Sequence, residues 1–129
     1  EPQAAGTGAV VGDFDQDGRL ELLICHGEER MESLSLFRPE TVGQYLRVMP
    51  LTPAGAPARG AQVVIRTGQR EQVRIIDGGS GYLCQMEPVA HFGLGSLTEV
   101  DEVEVRWPDG AEVKLNRQPA DQTLKVTHP

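Results

Sequence analysis

Apolar and polar residues alternate along most of this chain. In Tyr45-Leu46-Arg47-Val48-Met49-Pro50-Leu51 every second side chain is one that water disfavours. Successive strand side chains point to opposite faces, so a period of two predicts half-buried β-strands. The same reading predicts strands at Ala61–Arg66, Glu71–Ile76, His91–Leu94, Val103–Trp107, Glu112–Leu115 and Thr123–Val126. Thr67-Gly68-Gln69-Arg70 and Pro108-Asp109-Gly110 supply the hairpin turns between them. Nearer the start, Ala9–Gly12, Leu20–Cys25 and Leu34–Phe37 predict three more strands around an acidic loop. No stretch has the i, i+3, i+4, i+7 spacing of a long helix, so the expected class is all-β. A turn-rich stretch, Arg38 to Gly43, separates two blocks, residues 1–40 and 44–129. The first has about three strands and cannot bury both faces alone. The second has about seven, which suggests a β-sandwich or barrel-like domain.

Composition narrows the function classes. The chain has 129 residues, of which 39% are hydrophobic, so a core can form. Its formal charge of -7 repels phosphate backbones and argues against nucleic-acid binding. No apolar run approaches the ~20 residues needed to cross a bilayer. The chain opens on Glu1-Pro2 with no export signal in view. If it is secreted, that signal has been removed or lies upstream. Cys25 and Cys84 fit neither a redox CxxC motif nor a zinc site. One disulfide and two separate buried thiols both remain open.

The sharpest motif is Asp13-Phe14-Asp15-Gln16-Asp17-Gly18-Arg19-Leu20-Glu21. Its carboxylates alternate, and a tight loop converges alternate side chains on one point. Calcium is a hard cation that takes six to eight oxygens, typically at ~2.3–2.6 Å. The expected metal set is Asp13, Asp15, Asp17, the backbone carbonyl of Arg19, and Glu21 closing the site. Gly18 permits a left-handed turn. An EF-hand is opposed by strand-like flanks and by Ile24 where the closing Glu would stand. Magnesium is the weaker choice, because it keeps its waters.

The segment Val10 to Ile24 resembles an FG-GAP/VCBS repeat, the blade of calcium-binding β-propellers. Glu21 stands where Asp is usual in that family, and its longer carboxylate can still reach an ion. The second block resembles the ASPIC/UnbV domain, through four ordered motifs. These are Ala58-Arg59-Gly60-Ala61, Asp77-Gly78-Gly79-Ser80-Gly81-Tyr82-Leu83, His91-Phe92-Gly93-Leu94-Gly95 and Val103-Glu104-Val105-Arg106-Trp107-Pro108-Asp109-Gly110. A repeat followed by this domain is similar to the C-terminal part of the cartilage acidic protein family. That resemblance implies a secreted, extracellular, calcium-binding module with a matrix, adhesion or receptor-contact role and a protein or glycan partner. The ion is expected to be structural, and no catalysis is expected, because only the Asp and Glu pairs of the loop offer chemistry and calcium would occupy them.

Other readings weigh less. A lone three-stranded blade exposes an edge, so strand exchange into a filament or matrix polymer is the alternative function. Ala4-Ala5-Gly6-Thr7-Gly8 would be the exchanging arm. A catalytic serine at Ser80 is disfavoured, because Gly79-Ser80-Gly81 lacks the G-x-S-x-G spacing and the helix behind it. His26 and Glu28 offer a second metal site, although a surface turn explains them as well. Trp107 and Tyr82 could stack on a sugar, but core packing is the better expectation for Trp107. His91 is expected to be structural.

Overall fold

The computed structural model describes residues 6–27, 34–40, 43–79, 81–82 and 85–129. These residues hold ten strands in three sheets and no helix, and no sheet closes into a barrel. With no helix, none is long and apolar enough to cross a membrane, which leaves strand-spanning proteins unaddressed. Two compact units divide the chain. One is Glu1–Val42 with Gly78–Glu87, the other Gly43–Asp77 with Pro88–Pro129. The glycine-rich segment thus groups with the first block, although sequence order puts it inside the second. Ser80, Cys84, Glu28, Ala4 and Ala5 lie outside the described residues, and so do the readings that depended on them.

In the first unit, β1 (Gly6–Gly12), β2 (Glu21–His26) and β3 (Ser35–Phe37) pair antiparallel in that order. The described part of the small-residue stretch, Gly6 to Gly8, belongs to β1 and pairs with β2. Gly12 faces Glu21 across the ladder, so the acidic loop is the connection of a hairpin. No apolar side chain of β1–β3 is fully buried, and Leu36 and Phe37 are half exposed. The most buried side chains of these elements and their loop are acids, with Glu21 at 2% exposure and Asp13 at 7%.

The second unit has a true apolar core. Its strands are β4 (Gln44–Leu51), β5 (Gln62–Thr67), β6 (Arg70–Ile75), β7 (Ala90–Gly95), β8 (Glu99–Arg106), β9 (Glu112–Pro119) and β10 (Gln122–Thr127). One sheet has the order β10-β4-β7, the other β6-β5-β8-β9. Leu46 and Val48 of β4, Phe92 of β7 and Val126 of β10 join Val63 and Ile65 of β5 and Val103 and Val105 of β8 in one buried cluster. The register Val63↔Val105 and Ile65↔Val103 aligns the β5 and β8 contributions to it. Burying a Val, Leu or Ile side chain stabilises a fold by about 1.5–3 kcal/mol, so this cluster holds the two sheets together.

Two features depart from simple alternation. β8 starts at Glu99 rather than Val103, and its Val100 and Val103 are both buried at an odd separation. The β8–β9 register is unchanged across this point, from Val100↔Gln118 to Glu102↔Asn116, and Arg117 has a φ of +47°. The second feature is the parallel pairing of β10 with β4. Asp121, with φ +57°, turns the chain from β9 into β10. Its N–H donates to the Tyr45 carbonyl at 2.7 Å, and its Oδ1 accepts from the Tyr45 N–H at 3.1 Å.

Candidate metal centre

The β1–β2 hairpin supplies the site. Its loop reverses through two left-handed residues, Gln16 at φ +60° and Gly18 at φ +86°. The second is where glycine was expected to permit the turn. The Gly18 N–H donates to Asp13 Oδ2 at 3.1 Å, and the Phe14 N–H donates to Glu21 Oε2 at 2.9 Å. These bonds draw the loop's first carboxylate and its last one inward. Asp13, Asp15 and Glu21 then offer one oxygen each, all within 4.8 Å of one another. Three carboxylates so close repel one another unless a cation sits among them.

The remaining predicted ligands stand differently. Asp17 turns to Arg19: its Oδ1 accepts the Arg19 N–H at 2.9 Å and its Oδ2 accepts Arg19 Nε at 2.7 Å. The Arg19 side-chain hydrogen bonds hold the Asp17 carboxyl below its usual range. For Asp17 to join the cluster, this ion pair would have to open. Sequence spacing also missed Arg38, whose guanidinium lies 3.4 Å from Asp15 Oδ2. The β2–β3 register explains its arrival: Leu22 faces Phe37, so the next step places Arg38 opposite Glu21. A local motif cannot signal a partner delivered by another strand. His26, at the end of β2, bonds Ser35 Oγ through Nε2 at 2.8 Å.

The profile of the ASPIC and UnbV family matches residues 52–129, more than half of the chain. The chain belongs to the ASPIC and UnbV family. It is also similar to cartilage acidic protein 1 of Homo sapiens, at 56% identity over 119 residues, which is 90% of this chain and 18% of that protein. The Mus musculus protein of the same name is 50% identical over 134 aligned positions, covering 100% of this chain and 21% of the relative. That of Xenopus tropicalis is 54% identical over 113 residues, 85% of this chain and 17% of its own length. The chain therefore spans about a fifth of the length of these relatives.

Two of the motifs that suggested the ASPIC and UnbV family meet in the second unit. Gly60 of the Ala58–Ala61 motif packs on Pro108 of the Trp107–Gly110 motif. A Cβ at Gly60 would lie 3.2 Å from Pro108 Cγ, and Gly60 has a φ of +83°. Trp107 is a core residue at 5% exposure, and its indole N–H donates to the Leu51 carbonyl at 3.0 Å. Tyr82 is 63% exposed. His91 stacks on Tyr45, with ring centroids 6.0 Å apart.

Proposed function

We infer that the Asp13–Glu21 loop binds calcium as a structural ion. The chain would then serve as a non-catalytic binding module of a secreted, extracellular matrix protein. The observation that carries this reading is the burial of acids where a core should be: Asp13 and Glu21 are buried beside Asp15, in a sheet with no fully buried apolar side chain. An ion among these oxygens would supply the cohesion that the three strands lack. Asp13, Asp15 and Glu21 would hold it directly. The Arg19 carbonyl and Asp17 would complete the shell once the Asp17–Arg19 pair opens. In this reading residues 1–40 form an FG-GAP/VCBS-type blade of a β-propeller, and residues 44–129 form an ASPIC/UnbV β-sandwich that contacts a protein or glycan partner. Similarity to cartilage acidic protein 1 supports the extracellular assignment.

Thermal melts with calcium, magnesium or chelator test the proposal. Calcium at about a hundred times its dissociation constant should stabilise the folded chain by about 2.7 kcal/mol. Magnesium should do less, and Asp15→Asn should abolish the calcium effect. Equal melting temperatures with calcium and with chelator would refute the metal site.

A further inference from the structure

At one end of the second unit lies a cavity of about 270 Å³, walled by Pro53, Ala58 and Trp107. Arg59, Asp109 and His128 form its polar rim. The walls are fixed by their own contacts. The Trp107 indole is tied to Leu51, and the His128 ring meets it edge-on at 5.3 Å between centroids. The His128 N–H donates to the same Leu51 carbonyl at 3.0 Å. The recess therefore keeps its shape without an occupant, which lowers the cost of binding one.

Charge at the rim is unevenly satisfied. Asp109 Oδ2 lies 2.8 Å from His128 Nε2, and Asp109 Oδ1 accepts the Ala111 N–H at 3.1 Å. Arg59 is exposed, and its guanidinium makes no side-chain hydrogen bond or ion pair among the described residues. In a chain of net charge -7, an uncompensated cation beside an apolar recess is an unusual pairing. Asp109 is engaged by His128 and by the Ala111 N–H, so the Arg59 guanidinium is the charge the rim leaves open to a ligand. A single guanidinium with a carboxylate nearby suits a monoanion better than a multiply charged phosphate or sulfate. The volume sits at the lower edge of the ~300–1,000 Å³ usual for small-molecule sites, so the ligand is fragment-sized.

We propose that this cavity binds a carboxylate on a small apolar body. The carboxylate lies on the Arg59 guanidinium, and the apolar part lies against Pro53, Ala58 and Trp107. Both a free short-chain acid and the carboxyl end of a peptide carry this chemistry. The test is a titration of the ¹⁵N-labelled intact chain, read at the Trp107 indole N–H. The probes are 3-methylbutanoate, N-acetyl-leucine, 3-methylbutanamide and inorganic sulfate. Either acid should give a saturable shift, and the tighter of the two names the source. The neutral amide should bind at least about tenfold more weakly. Arg59→Gln should weaken the acids by about tenfold while leaving the melting temperature in place, since Arg59 is an exposed side chain. The proposal is overturned if neither acid saturates, or if Arg59→Gln binds them as well as the parent chain. It also fails if sulfate moves the indole signal as strongly as the acids do, because the apolar recess would then contribute nothing.

Discussion

Replacing Glu104 by glutamine removes one negative charge while nearly preserving the side chain's shape. Glu104 sits on the face of β8 opposite Val103 and Val105, where alternation would leave it in water. Yet its side chain is 0% exposed. Its Oε2 accepts from Arg66 Nη1 at 2.8 Å, its Oε1 accepts from Arg106 Nε at 2.6 Å, and Lys114 Nζ stands 3.8 Å away. Breaking a fully buried ion pair costs about 3–5 kcal/mol. Here the cations retain side-chain exposures of 34% for Arg66 and 49% for Arg106 and Lys114. Released from the carboxylate, they return to water instead of being stranded, which reduces the expected loss to about 2 kcal/mol. At about 4–8 °C per kcal/mol for a domain of this size, the melting temperature should fall by roughly 8–16 °C.

Urea unfolding at pH 7 and near pH 3 checks the reasoning through its sign. Burial acts to raise the Glu104 carboxyl, and the hydrogen bonds from Arg66 and Arg106 outweigh it, so the folded value lies below the usual carboxylate range. A lowered folded value contributes stability above the unfolded pKa of about 4.3. That contribution is lost as pH falls through the folded value. The Glu104→Gln penalty should therefore be greatest at neutral pH and shrink in acid. A loss under about 0.5 kcal/mol at pH 7, or a penalty that does not change between the two conditions, would refute the charge argument.

Gly60→Ala should destabilise the second unit by about 1–2 kcal/mol, because a left-handed backbone disfavours a Cβ. That Cβ would also press on Pro108, so chemical denaturation should register the loss. His128 is held above its ordinary pKa mainly by its hydrogen bond to Asp109. The link is fully present below about pH 6.5 and is lost as pH rises through the raised folded value. An NMR titration should find the His128 pKa lowered in Asp109→Asn, and an unchanged midpoint would reject the pair.

Much of the fold was legible because strand patterning is local. Each of the ten strands overlaps a segment marked out by its alternation or by flanking turns. The acidic loop was equally readable, since Asp13, Asp15 and Glu21 carry their spacing in nine consecutive residues. What stayed hidden was assembled from a distance. Arg38 reaches Asp15 through the β2–β3 register. Glu104 reads as a solvated strand residue until Arg66 and Lys114 arrive from neighbouring strands. Both halves of the carboxylate cavity were visible as family motifs, but nothing in the sequence says that residues 58–60 and 107–109 meet.

The parallel pairing of β10 with β4 also sets an order of events. Tyr45 and Asp121, which latch that pairing, are 76 residues apart. β4 therefore waits for nearly the whole second unit to be synthesised before one of its edges is covered. A contact this distant in sequence raises the unit's contact order, and closing so long a loop is entropically unfavourable until the core repays it. Of the second unit's pairings, the β5–β6 and β8–β9 hairpins close early, whereas the sheet that contains β4 cannot be completed until Gln122–Thr127 has left the ribosome. Until then the nascent chain carries an open, apolar strand edge, the stage at which a folding chain is most exposed to mispairing with its neighbours.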